Sequence, residues 1–262
     1  MAQSYRTVWL SDVHLGTRAC RAGELLRFLD TVQADRIYLV GDIIDLERMK
    51  HRPSFPATHR QVVSRLIELA GNGVEVVYIP GNHDFEFRDV AGRQLFGIPV
   101  MMEAEHVTPN GARLLVTHGD VLDGRIRKGT NLQEFGAAAY KWLVEFDVLV
   151  NRMRNLLGRE YYSISASLKR RLSRANEYIH RFELTAADYA LERGFDGIVC
   201  GHIHRPGMRM INGCLYANDG DWVEHGTALA ERADGTLEIL QVGSGTLLVT
   251  ELLNLDETRV AA

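Results

Sequence analysis

The run Thr7-Val8-Trp9-Leu10-Ser11-Asp12-Val13-His14 decides how this chain folds: an apolar strand that stops on an acid and an imidazole. Four further apolar runs end in the same manner. Residues 37–40 lead into Gly41-Asp42, 74–79 into Gly81-Asn82-His83-Asp84, 113–116 into Thr117-His118-Gly119-Asp120, and 197–200 into Gly201-His202-Ile203-His204. In open α/β sheets ligands sit in the crevice beyond the carboxyl ends of the strands, so polar residues there mark a binding edge. Helical periodicity near 22–32 and 57–70 separates the first strands, giving β-α-β order and parallel pairing. Later runs are short and joined by Asn110-Gly111, Asn212-Gly213 and Asp234-Gly235, which are hairpin turns, so the second sheet is expected to be the more antiparallel.

Three oxygen donors (Asp12, Asp42, Asn82) and four imidazoles (His14, His118, His202, His204) make a mixed donor set that suits Mn, Fe or Zn rather than Ca or Mg. Seven ligands are too many for one such ion. Two ions sharing a carboxylate would use them all and leave positions for water and substrate. Taken singly, each fragment also reads as an ordinary turn or a core histidine. Their order, their strand contexts and the presence of five of the ten histidines within them argue for a single site. Two ions activate water and clamp phosphoryl oxygens, so phosphate ester hydrolysis needs no covalent nucleophile. His83 is the candidate general acid for the leaving oxygen. Asp84 beside it is expected to fix its orientation and favour the imidazolium.

At 262 residues the chain is long for one domain but ordinary for an α/β enzyme with an insertion. One domain over 1–262 is expected, with a helical lid at about 125–194. Apolar residues recur at helical period over 131–158, and a second helix or helix pair runs over about 163–192, with Gly158 and Gly194 as stops. Formal net charge is −4, yet 125–181 holds twelve Lys and Arg against five acids, leaving −11 for the remainder. Such a run is commonly a solvated helix face. Beside Trp142, Phe146, Tyr161 and Tyr162 it also suits an anionic membrane surface or substrate. Basic and aromatic residues do not interleave regularly, so no nucleic acid is expected as a partner. Cys20, Cys200 and Cys214 form no C-x-x-C and are odd in number, which points to a reducing compartment. Residues 1–6 carry no apolar leader and no apolar run approaches about 18 residues. A cytoplasmic protein is expected. Residues 245–253 alternate as an edge strand or a partner surface would, and 255–262 read as a loose tail.

The fragments D-x-H, G-D, G-N-H-D, H and G-H-x-H, at Asp12, His14, Asp42, Asn82, His83, Asp84, His118, His202 and His204, resemble the calcineurin-like metallophosphoesterase superfamily over about residues 7–231. The resemblance implies an α/β fold of two packed mixed β-sheets flanked by helices, here with a helical insert. It also implies that Asp12, His14, Asp42 and His204 hold a first ion and Asp42, Asn82, His118 and His202 a second, with Asp42 as the bridge. Within the superfamily, Leu10-Ser11-Asp12-Val13-His14-Leu15-Gly16, Val40-Gly41-Asp42-Ile43-Ile44-Asp45, the insert after His118-Gly119-Asp120, Gly201-His202-Ile203-His204-Arg205-Pro206 and Asn218-Asp219-Gly220-Asp221-Trp222 are similar to the UDP-2,3-diacylglucosamine pyrophosphatase group of lipid A biosynthesis. There the insert covers acyl chains and basic residues contact phosphates, which makes Arg125, Lys128, Trp142, Lys169 and Arg170 the candidate substrate contacts.

What the likeness implies is two divalent ions, manganese foremost with iron or zinc as alternatives, and a lipid-linked phosphorylated substrate. UDP-2,3-diacylglucosamine leads, hydrolysed to UMP and a lipid monophosphate, with peripheral contact to the inner membrane through the insert. The well-known lipid A enzymes carry Gly-Asn-Arg-Asp where this chain has His83, and Val121-Leu122-Asp123-Gly124-Arg125 differs as well. The chain thus resembles a sister branch, with another phospholipid or a soluble nucleotide as the alternative substrate. A protein phosphatase or a non-catalytic scaffold ranks below these, since nothing suggests a peptide groove and no motif residue is missing.

Overall fold

The computed structural model describes residues 3–128, 164–242 and 247–253. Along them run β1 (Gln3–Leu10), α1 (Ala22–Thr31), β2 (Val32–Val40), α2 (Leu46–His51), α3 (Ala57–Gly71), β3 (Glu75–Ile79), β4 (Gln94–Leu95), β5 (Ile98–Pro99), β6 (Ala104–Val107), β7 (Arg113–Val116), α4 (Asp123–Lys128), α5 (Ile164–Glu192), β8 (Gly197–Cys200), β9 (Gly207–Ile211), β10 (Cys214–Asn218), β11 (Thr227–Glu231), β12 (Leu237–Val242) and β13 (Leu247–Leu253). Two mixed sheets result, ordered β13-β12-β11-β1-β2-β3 and β6-β7-β8-β10-β9. Strands β1, β2 and β3 are parallel in the first, and β7, β8 and β10 in the second.

The strand ends that lead into the fragments (8–10, 37–40, 76–79, 114–116 and 197–200) read as unbroken apolar runs because both of their faces are covered. In β1, Val8 and Leu10 join a core with Leu25, Phe28 and Leu29 of α1 and Val62 and Leu66 of α3. Trp9 joins the other core, with Tyr38, Val40, Leu114, Val116, Val199 and Leu215 drawn from both sheets. Adjacent strand residues point to opposite faces, so a strand between two apolar layers needs apolar residues at every position. Trp9 is fully buried and stacks on Tyr38 with centroids 5.9 Å apart.

All three turn signals join antiparallel neighbours: β6 to β7, β9 to β10, and β11 to β12. Asn212 and Gly213 have φ of 53° and 80°, the two positive values that a type I′ hairpin requires. The expectation of a more antiparallel second sheet does not hold. That sheet pairs β7–β8 and β8–β10 in parallel and β6–β7 and β10–β9 antiparallel. The antiparallel strands β11, β12 and β13 extend the first sheet instead. After β10 the chain crosses back to β1, and no local turn signal encodes that return. Strand β13 forms the edge of the first sheet within the stretch 245–253.

The chain divides into two compact units, Met1–Val121 with Ala186–Ala262, and Leu122–Thr185. Both sheets belong to the first. In the second, Tyr178 Oη donates to Asp123 Oδ1 at 2.6 Å. The striped helix expected over 131–158, with Trp142 and Phe146, lies outside the described residues, as do Tyr161, Tyr162 and the tail 255–262. Among the described residues no helix is long and apolar enough to cross a membrane. Because Trp9 fills the space between the sheets, Trp9→Ala should lower stability in urea unfolding by about 3–5 kcal/mol. Trp9→Phe should cost clearly less, and equal losses would mean that the inter-sheet core does not depend on this ring.

Candidate metal centre

Every candidate ligand, together with His83 and Asp84, sits in a loop that follows a parallel strand: Asp12 and His14 after β1, Asp42 after β2, Asn82 to Asp84 after β3, His118 after β7, and His202 and His204 after β8. The loops are laced together by main-chain bonds, from Asp12 N to Gly41 O (3.0 Å), His14 N to Asp42 O (2.9 Å) and Gly201 N to His118 O (3.1 Å). His202 N donates to Asp12 Oδ2 at 2.8 Å, which joins the two sheets. The approach is so close that a Cβ at Gly81 would strike the Asp42 carboxylate and His118. One at Gly201 would strike Ser11 and Asp12.

Backbone strain falls on five of the candidate ligands; among the described residues Phe96 and Asn212 are the other non-glycine positions of positive φ. Asp12, His14, Asp42, His202 and His204 have φ of 49°, 52°, 55°, 70° and 52°, in the left-handed region. Residues other than glycine seldom stay there, at a cost of order 1–3 kcal/mol each, unless their surroundings enforce it.

The side chains form overlapping groups. Ligand atoms of Asp12, His14 and His204, and of Asp12, Asp42 and His118, lie within 4.8 Å of one another. His204 Nε2 is 3.0 Å from Asp12 Oδ1, and His14 Nε2 is 3.4 Å from His204 Nε2. Asp42 Oδ2 is 3.9 Å from His14 Nε2 and 3.5 Å from His118 Nε2, while Asn82 Oδ1 is 3.3 Å from the same His118 atom. The His118 and His202 rings meet edge to face at 5.2 Å. All seven candidate ligands therefore come together. Asp12 Oδ1 is buried and meets His204 Nε2 at 3.0 Å and His14 Nε2 at 3.9 Å, so its lone pairs face the cluster. His118 Nδ1 faces the Val40 carbonyl at 2.8 Å and His14 Nδ1 faces Asp45 Oδ2 at 3.2 Å, so both present Nε2 to the cluster. Outer partners of this kind orient metal-binding histidines, and a set of N and O donors, buried at Asp12, His14, Asp42 and His118 and half-buried at Asn82, His202 and His204, fits divalent transition ions.

The expectation that Asp84 orients His83 is corrected by the geometry. The Asp84 carboxylate accepts from Tyr78 Oη (2.5 Å), Gly81 N (2.6 Å) and Ile43 N (2.8 Å), and thereby ties the loop after β2 to the loop after β3. Its capacity is taken up by those donors. His83 Nδ1 instead lies 3.1 Å from Asp45 Oδ1 and 3.3 Å from Glu47 Oε2. Asp45, buried and also the N-cap of α2 through Arg48 N, thus serves His14 and His83 together. Its sequence signal was its place three residues after Asp42 at a helix start. Of the candidate substrate contacts, Arg125 and Lys128 lie on α4, with Arg125 exposed, Lys169 and Arg170 lie on α5, and Trp142 is outside the described residues.

Burial by itself would raise the two carboxylates and lower the imidazoles. Their mutual attraction prevails. His204, His118 and His14 hold Asp12 well below the usual carboxylate range, and His118 brings Asp42 down to about 2. Asp12 pushes His204 up to about 9, and Asp42 with Asp12 pushes His118 well above its ordinary value.

The model of the calcineurin-like phosphoesterase family matches residues 5–206. The UDP-2,3-diacylglucosamine hydrolase of Shewanella sp. (strain MR-4) is 28% identical over 242 residues, covering 88% of this chain and 95% of that protein. The protein of the same name from Xanthomonas campestris pv. campestris (strain B100) is 28% identical over 246 residues, covering 87% and 96%. Among solved structures, Yfce, a phosphoesterase from E. coli, superposes with a TM-score of 0.51 at 16% identity, covering 95% of this chain and 98% of that one, a likeness of fold.

The raised histidines have a consequence for metal uptake. Their ion-pair contribution is complete below about 6.5, the unfolded value, and is lost as pH rises through about 9 at His204. A divalent ion held by these residues would take over the role of those protons and release them. Calorimetric titration of Mn²⁺ into metal-free protein near neutral pH, in buffers of different ionisation enthalpy, should register about one to two protons released. The number should fall as the pH passes about 9; buffer-independent heats near neutrality would contradict the assignment.

Proposed function

Because the chain belongs to the calcineurin-like phosphoesterase family and is a metal-dependent hydrolase, we propose that the strand-end cluster is a dinuclear centre hydrolysing a phosphoanhydride or phosphodiester in a lipid-linked substrate. The observation that carries this reading is the position of Asp42 Oδ2, within 3.9 Å of His14 Nε2 and 3.5 Å of His118 Nε2, where one oxygen faces two donor sets. Asp12, His14, Asp42 and His204 would hold one ion, and Asp42, Asn82, His118 and His202 the other. Such ions supply Lewis acidity toward water and the phosphoryl oxygens. His83 gives the proton on Nε2 to the departing oxygen while Asp45 and Glu47 retain Nδ1. Asp84 acts on this chemistry only by keeping two loops in register.

UDP-2,3-diacylglucosamine, for which the relatives are named, is the leading substrate, cleaved with water to UMP and a lipid monophosphate. The basic stretch 125–181 supports an anionic amphiphile. In this reading the chain is one domain with a lid at 125–194. Arg125, Lys128, Lys169 and Arg170 meet phosphates, Trp142 meets acyl chains, and the lid rests on the cytoplasmic face of the inner membrane. Manganese is the first choice of metal. His83, standing where the lipid A enzymes carry arginine, favours the second reading, another phospholipid or a soluble nucleotide.

Mass spectrometry of products formed by Mn-loaded protein on UDP-2,3-diacylglucosamine in mixed micelles should show UMP and the lipid monophosphate, with none from Asp42→Ala. Turnover of a small chromogenic phosphodiester without lipid turnover would transfer the reading to other substrates. His83→Ala should slow hydrolysis of a poor leaving group by about 10²–10⁴-fold and that of a good leaving group far less. Equal effects on both would remove the proton-donor role. Trp142→Ala with Phe146→Ala should impair lipid turnover much more than turnover of the chromogenic ester, and equal losses would leave the insert a purely structural part.

A further inference from the structure

The stretch Asn218-Asp219-Gly220-Asp221-Trp222, which closes β10, has no part in the roles above, yet Asn218, Asp219, Asp221 and Trp222 are all fully buried. It underlies both loops that carry the Asp12 and His204 side chains. Asn218 Nδ2 donates to Gly201 O at 2.7 Å, and Trp222 N donates to Asp12 O at 3.1 Å. Between these two contacts stands Ser11, whose Oγ is 2.6 Å from Asp12 Oδ2 and 2.6 Å from Asp219 Oδ1. Gly220 O is a more distant neighbour at 3.2 Å.

A hydroxyl has one proton to give. Two oxygen–oxygen contacts of this length need two, so one of the carboxyl groups must bring the second. Asp12 is not the carrier: His202 N donates to its Oδ2, and His204 Nε2 stands 3.0 Å from its Oδ1. Asp219 has the opposite surroundings. Its Oδ2 is buried with no hydrogen-bond partner, and no salt bridge reaches it among the described residues. An ionised carboxylate so placed would lack the partners that a buried charge requires.

We infer that Asp219 is a neutral carboxylic acid in the folded protein and a positioning residue for Asp12, donating to Ser11 Oγ while Ser11 donates to Asp12 Oδ2. Burial foremost, and the nearby Asp12 charge, push the Asp219 carboxyl well above its ordinary range, in the same sense. The relay has a directional effect. With Ser11 and His202 N both on Oδ2, Asp12 keeps only Oδ1 free to face His14 and His204. That last step rests on the dinuclear reading; the location of the proton does not.

The test compares wild type with Asp219→Asn, Asp219→Ala and Ser11→Ala. An amide reproduces the donor of a neutral acid but not the charge of a carboxylate. Calorimetric Mn²⁺ affinity of the metal-free proteins should stay within about threefold of wild type for Asp219→Asn and weaken by about 10–100-fold for Asp219→Ala and Ser11→Ala, the usual range for outer partners of metal ligands. Asp219→Asn as damaging as Asp219→Ala, or Ser11→Ala without effect, would overturn the inference. Infrared difference spectra of the metal-free proteins separate the two readings. A carboxylic acid C=O stretch present in wild type and missing in Asp219→Asn supports the neutral acid even if wild type takes up no metal, and no such band overturns it.

Discussion

The carboxylates of Asp12 and Asp42 lie almost wholly out of water, so their charge has to be met inside the protein by imidazoles, N–H donors or cations. Much of the surrounding architecture answers that demand. Asp42 Oδ1 accepts from His83 N at 2.7 Å, Asp12 Oδ2 accepts from His202 N, and the imidazoles of His14, His118 and His204 crowd the remaining oxygens. The balance is internal and tight. A change that removes one partner leaves a buried charge exposed to a low dielectric, which costs more than the contact itself contributed.

Such density of charge at one edge requires loops fixed from several sides. Two rows of parallel strands deliver them, and the core around Trp9 sets the distance between the rows. Carboxylates then lock neighbouring loops pairwise: Asp84 joins those after β2 and β3, Asp45 joins His14 to His83, and Ser11 with Asp219 joins those after β1 and β10. The Asp84 and Ser11–Asp219 locks use short hydrogen bonds between buried groups and the Asp45 lock longer ones, so the geometry is set by paired polar groups rather than by side-chain volume alone.

How far the sequence could be read follows from which of these causes is local. The clustering of Asp12, His14, Asp42, Asn82, His118, His202 and His204 was legible because parallel strands send all their carboxyl ends to one edge. The hairpin at Asn212-Gly213 was legible because its backbone demands those residue types. The return of the chain to β1 was not, since strand order beyond the first units depends on long-range pairing that leaves no mark in a turn. Adjacency in sequence suggests Asp84 as the partner of His83. Adjacent side chains in a tight loop point apart, and a residue from the next loop over, Asp45, reached the ring instead. Asp219 resembled an ordinary Asp-Gly turn, and only its burial against Ser11 distinguishes it.

The left-handed backbone at Asp12, His14, Asp42, His202 and His204 bears on any effort to make this chain more heat-resistant. At most positions a search for stabilising substitutions is indifferent to the reaction. Here glycine would relieve the strain but take a partner from the buried charge network, so backbone relief and ionic balance oppose each other at the same residue. A screen that scores only the folded fraction reads the net of those two opposing terms at these five positions, not the backbone strain alone.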